Sequence, residues 1–156
     1  MATRTINIFL ASSDELINDR NSFQALIANL DDIYEERGIR IKCKRWEDFS
    51  AFCTGERTQD QYNQVLRASD MCICMFHRKA GKYTVEEFNQ ALNEYRQNND
   101  HPKTYVYIRA LMEGEIEEEE LKAFKADLFQ SIGHYWCNYM TDDAMKLHFV
   151  MQLERL

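Results

Sequence analysis

Proline occurs once and glycine five times in 156 residues. That leaves no room for a Pro- or Gly-rich linker, and one domain spanning residues 1–156 is expected. Positive charge is scarce too: 19 Lys and Arg stand against 26 Asp and Glu, a net charge of −7. Duplex nucleic-acid binders need a basic face, so nucleic acid is not an expected partner. The five cysteines are an odd number and form no Cys-x-x-Cys pair, which argues against a disulfide framework and for a reducing, cytoplasmic setting. His77, His101, His134 and His148 are scattered, without metal-ligand spacing. No signal peptide or long apolar span precedes the first strand, so no membrane is expected as a partner. Gly-x-Gly-x-x-Gly, a Walker-type loop and a Gly-x-Ser-x-Gly elbow are all missing.

What the chain has is alternation. Thr5 to Leu10 reads as a first strand, and Ser12-Ser13-Asp14-Glu15 supplies a capping box for a helix with Phe23, Ile27, Leu30 and Tyr34 in helical spacing and a stop at Gly38. Ile39 to Arg45 alternates apolar with basic residues and reads as an edge strand. Trp46 to Gly55 is a loop, and Thr58-Gln59-Asp60-Gln61 caps a helix through Val65 and Leu66. Met71 to Phe76 and Thr104 to Ile108 are solidly apolar, hence central strands. A helix runs between them from Thr84 to about Gln97. Glu115 to Glu120 reads as a solvated helix start, Tyr135 to Tyr139 as a short fifth strand, and Thr141 as the cap of a last helix with Met145, Phe149 and Leu153 on one stripe. Four or five strands alternating with helices predict a parallel sheet covered on both faces, of order 2-1-3-4-5. That is a flavodoxin-like three-layer α/β sandwich, whose ligand crevice opens between strands one and three.

At that crevice the third strand runs into His77-Arg78-Lys79-Ala80-Gly81-Lys82 and then Tyr83-Thr84-Val85-Glu86-Glu87-Phe88. The loop is a local basic exception in an acidic chain, suited to an anionic small molecule. Thr84 to Glu87 also matches a capping box, with Tyr83 and Phe88 spaced as a hydrophobic staple, in which Glu87 only satisfies the Thr84 amide. Cys72 and Cys74 alternate with Met71, Ile73 and Met75 and read as small core residues. A phosphoacceptor receiver domain would want acidic residues after strand one, where only Asp14 answers.

The run Ile8 to Leu16, then Arg20, Trp46-Glu47-Asp48-Phe49, Thr58 to Asn63, Ser69-Asp70, Gly81 to Thr84 and Glu86-Glu87-Phe88 resembles the prokaryotic TIR-like (Toll/interleukin-1 receptor) domains of bacterial defence proteins. The resemblance implies that Glu87 cleaves NAD, with Tyr83 four residues before it and the small Ala91 four after. It departs from the family where Trp-Cys-x-x-Glu becomes Tyr83-Thr84-Val85-Glu86-Glu87. It further implies that Trp46, Asp48 and Phe49 mediate self-association and gate the pocket. One carboxylate suits this chemistry, because nicotinamide leaves as a neutral pyridine and needs no acid. Tyr83 is positioned to stack on a dinucleotide ring. Lys79, Lys82, Arg45, Trp46 and the segment at Ser12 and Ser13 are candidates to hold the substrate, with its pyrophosphate on the lysines or on the helix start.

The expected function is therefore NAD glycohydrolase or ADP-ribosyl cyclase activity on assembly, in bacterial immunity, with NAD as substrate and no permanently bound cofactor or metal. Fusion or recruitment to a sensor domain is expected with it. A non-catalytic TIR interaction module and a nucleoside deoxyribosyltransferase-like enzyme remain as alternatives.

Overall fold

All six residues of β3, Met71–Phe76, are fully buried. A strand dry on both faces belongs in the middle of a covered parallel sheet, and that is where this one lies. The computed structural model describes residues 4–12, 14–45, 64–80, 82–97, 101–133 and 136–156, and the side chains of all of these except 14, 45, 82, 83, 131 and 132. The strands are β1 (Arg4–Ser12), β2 (Ile39–Arg45), β3, β4 (Lys103–Arg109) and β5 (Cys137–Tyr139). They pair in the order β2-β1-β3-β4-β5, every pair parallel. The helices are α1 (Ile17–Glu35), α2 (Lys82–Gln97), α3 (Glu119–Asp127) and α4 (Asp142–Leu153). This is the flavodoxin-like three-layer α/β fold that the alternation predicts.

Strand alternation separates two cores. Ile6, Ile8, Leu10, Ile73 and Met75 meet Phe23, Ile27 and Leu30 of α1 and Met145 and Phe149 of α4. Phe9, Ala11, Cys72, Cys74 and Phe76 meet Phe88 and Ala91 of α2 and Leu121 and Phe124 of α3. Phe124 ties the second layer together, edge-on to Phe88 at 5.4 Å and tilted against Phe76 at 4.7 Å. These ring contacts fix α2 on β3 and so set the height of everything α2 carries.

The turn after α1 closes at Gly38, whose φ of 72° is left-handed and whose amide donates to the Glu35 carbonyl at 3.0 Å. Only glycine adopts that conformation cheaply. Asp31 then clamps the returning chain, accepting from Arg40 Nε and Nη2 at 2.9 and 2.8 Å and from the Ile41 amide at 2.8 Å.

Several element starts differ from expectation. β1 runs on to Ser12, and a 3₁₀ turn at Asp14–Leu16 precedes α1. No side chain caps that helix, so the capping box at Ser12 to Glu15 does not form; Glu15 bonds elsewhere. α2 begins at Lys82, which puts Thr84 inside the helix and removes the capping-box geometry from Thr84 and Glu87. α3 begins at Glu119, so Glu115 lies in the preceding loop, partly buried by contacts of its own. Thr141 does cap α4, its hydroxyl accepting from the Ala144 amide at 3.2 Å. The second capping box, at Thr58, lies outside the described residues.

Candidate active site

The sheet order reverses between β1 and β3, and their paired C-terminal ends, Ala11 opposite Cys74 and Ser12 opposite Met75, define the crevice where open α/β sheets bind ligands. Two segments bring side chains there: the loop that follows β3 and the first turns of α2.

Glu87 is 6% exposed and shares the inward face of α2 with Thr84, Ala91 and Glu94. With Phe88 these make five buried residues on α2, three of them polar, an unusual choice for a face packed on a sheet. The Glu94 carboxylate accepts from Arg67 Nε at 3.1 Å. Glu87 lies near enough to β3 to act on its thiols. The Cys74 thiol is raised well above its usual range by the neighbouring Cys72 thiol, 3.8 Å away, by complete burial, and by the negative charges of Cys72 and Glu87. Cys74 is thus held protonated, and both cysteines are fully buried in the core, as their spacing suggests.

The basic loop is less basic than its sequence implies. Glu15 Oε1 accepts from the backbone amides of Arg78 at 2.7 Å and Lys79 at 3.2 Å, and its Oε2 accepts from Arg78 Nε at 3.2 Å. His77 places Nε2 3.0 Å from both Glu115 carboxylate oxygens and Nδ1 3.1 Å from the Arg109 carbonyl. Glu115 in turn accepts from the Met112 amide at 2.7 Å. That amide first, then His77 and Arg78, hold the Glu115 carboxyl below its usual range against the opposing pull of burial.

Below the other face of the crevice lies a second charged cluster. Asp19, 3% exposed, accepts from Arg109 Nη1 and from the Tyr139 hydroxyl, both at 2.6 Å, while Arg109 also reaches Asp142 at 3.1 Å. Burial and the neighbouring Asp19 push the Asp142 carboxyl up. This cluster ties α1, β4, β5 and α4 together. The sequence reading missed it, although Asp19 gave a signal: it extends the stripe of Phe23, Ile27, Leu30 and Tyr34 back by one turn, and a charge at a core position demands a partner.

The candidate residues are only partly brought together. Glu87 lies on α2 beside β3, close enough to act electrostatically on Cys74, and Lys79 lies in the loop that follows β3. Ser12 ends β1 with its hydroxyl buried and without a hydrogen-bond partner. Strand alternation turns it toward α1 together with Leu10, away from the α2 face shared by Ala11, Cys74 and Glu87. Lys79 is exposed. The side chains of Arg45, Lys82 and Tyr83, and all of Ser13, Trp46, Asp48 and Phe49, lie outside the described residues. A cavity of about 250 Å³ on the β4 edge is lined by Tyr105, Tyr107, Trp136, Cys137 and His148 among others, and none of the predicted site residues lines it. Among the described residues no group of three His, Cys, Asp or Glu is placed to hold a metal ion, and no helix is long and apolar enough to cross a membrane.

No family model matches the chain, and no curated protein matches it. Among solved structures, that of the Clostridium botulinum CMP N-glycosidase BcmB, a nucleotide N-glycosidase, is similar over 94% of this chain and 98% of that one, at 13% identity and a TM-score of 0.47.

Proposed function

We propose that this chain is a TIR-like N-glycoside hydrolase that cleaves the nicotinamide–ribose bond of NAD, with Glu87 as the anion facing the ribosyl cation. The observation that carries this reading is the burial of Glu87 on α2, now without the capping-box role that its spacing would also allow. A buried carboxylate is costly to keep and effective where positive charge develops, because a dry site strengthens the attraction.

The chemistry follows from one anion. The C1′–N bond breaks with its electron pair leaving on nicotinamide, which departs as a neutral pyridine. Glu87 stabilises the oxocarbenium-like ribosyl centre that remains. Water then attacks C1′ and loses its proton to the carboxylate or to solvent, giving ADP-ribose; attack by the adenine would give a cyclic isomer. Tyr83 would stack on a ring of the substrate. Lys79 and Lys82 would hold its phosphates, with Ser13 and Arg45 at the neighbouring strand ends. Trp46, Asp48 and Phe49 would join copies and close the pocket.

Glu87→Gln keeps size and shape and removes the charge. It should leave the melting temperature within about 2–4 °C, the shift of a ~1 kcal/mol change in a domain of this size, and abolish nicotinamide release. The assay spans a protein dilution series and offers NAD, CMP and deoxynucleosides in parallel. Wild-type turnover by Glu87→Gln would remove Glu87 from the mechanism. A wild-type chain inert toward all of them at high concentration would make it an interaction module, and constant specific activity on dilution would remove assembly.

A further inference from the structure

The loop after β3 presents three donors to one point. The amides of Arg78 and Lys79 are consecutive and both address Glu15 Oε1, at 2.7 and 3.2 Å, while Arg78 Nε addresses Oε2 at 3.2 Å. Successive backbone amides converging on one oxygen form an anion-binding nest, and a guanidinium beside them is the usual complement for phosphate. Here the anion in the nest belongs to the protein itself.

The nest does not depend on Glu15 for its shape. The Arg78 carbonyl accepts from the Glu118 amide at 2.8 Å. His77 is held from both sides by the Arg109 carbonyl and Glu115, and β3 immediately before it is locked between β1 and β4. Glu15, by contrast, stands in a three-residue 3₁₀ turn and reaches the nest through its side chain, which is only 10% exposed.

We propose that the Arg78 and Lys79 amides with the Arg78 guanidinium form a phosphate-binding subsite at the mouth of the β1/β3 crevice, occupied in the free protein by the Glu15 carboxylate, which a substrate phosphate displaces. The subsite deepens the NAD-cleavage reading and rests on it for the nucleotide nature of the ligand. Phosphate offers more acceptor oxygens and more charge than a carboxylate, but a tethered carboxylate competes at high effective concentration. Binding by the wild type is therefore weak, and removing the competitor strengthens it.

The probe is inorganic pyrophosphate, titrated calorimetrically into the intact chain without turnover. Glu15→Ala should bind it on the order of tenfold or more tighter than wild type, and Glu15→Gln, which keeps an acceptor and loses the charge, should gain less. Adding Arg78→Gln to Glu15→Ala should erase the gain. ADP-ribose should gain by a similar factor, and adenosine should not gain at all. Where Glu15→Ala fails to fold by circular dichroism, Glu15→Gln carries the test. Folded Glu15 variants with no gain, or a gain that survives Arg78→Gln, overturn the subsite and make Glu15 a structural latch. That result leaves NAD cleavage standing if nicotinamide release by wild type still depends on Glu87, whereas a pyrophosphate gain in a chain that does not cleave NAD keeps the subsite and removes the reaction.

Discussion

Arg109 holds two carboxylates that would otherwise repel each other, one of them Asp19 at 3% exposure. Deleting one partner of a buried ion cluster is costly because the remaining charges lose both water and counter-ion. Arg109→Met should cost about 2–4 kcal/mol, at the lower side of the buried-pair range because the arginine is partly exposed. The loss should also depend on pH with a definite sign. Asp142 already sits high with Arg109 in place, raised by burial and by the neighbouring Asp19, and removing the arginine takes away the charge that opposes that rise. Groups shifted upward stabilise the fold below the unfolded pKa and lose that contribution as pH rises through the folded one. Urea denaturation of Arg109→Met should therefore show stability recovering as pH falls from 7 toward 4, and a constant deficit over that range would refute the account. At this scale legibility depends on register. Asp19 announces itself as a charge in an apolar stripe, whereas Glu15 gives no such sign: its partners are 63 and 64 positions away, and only the sheet brings them near.

Helix starts show what a local pattern can and cannot decide. Ser12 to Glu15, Thr84 to Glu87 and Thr141 onward all offer cap-like spacing, yet only Thr141 accepts from its helix. Ser12 is still in strand β1, because continued pairing with Met75 satisfies its backbone better than a cap. Thr84 is overtaken by a helix that begins two residues earlier at Lys82, directly after the pinned loop. The strand order and the buried strands were legible because a parallel sheet with both faces covered imposes long apolar runs on β3 and β4 and alternation on the edge strand β2. Cap positions were not, because several triplets fit and chain trajectory chooses among them. Thr141→Ala should thus cost about 1 kcal/mol, read by thermal melting, and Thr141→Ser should restore most of it. Equal stability of Thr141→Ala and wild type would mean that the bond to Ala144 is idle.

For the whole molecule the question is how a chain of net charge −7 would capture the anionic dinucleotide proposed as its substrate. Charges farther than about 8–10 Å from the mouth are screened at physiological salt, so the local sum decides. Among the described loop residues Arg78 and Lys79 face Glu15 and Glu115, two positive charges against two negative; with Lys82 at the rim, as the proposed function has it, the rim carries one net positive charge, not counting the buried Glu87. Such a mouth barely attracts, and the kcat/KM of the wild type for NAD should change little as salt rises from about 50 to about 300 mM. Replacing Lys79 and Lys82 together by Gln leaves one net negative charge in an acidic field. Capture should then improve with added salt, and the defect should appear in KM rather than kcat, since phosphates are held alike in ground and transition states. Glu15→Ala works in the opposite sense: with two net positive charges and an open nest, its kcat/KM should start higher and fall as salt is added. If the double lysine variant keeps the wild-type KM and salt response, Lys79 and Lys82 are solvated surface, and the phosphates are held by backbone amides instead of by side-chain charge.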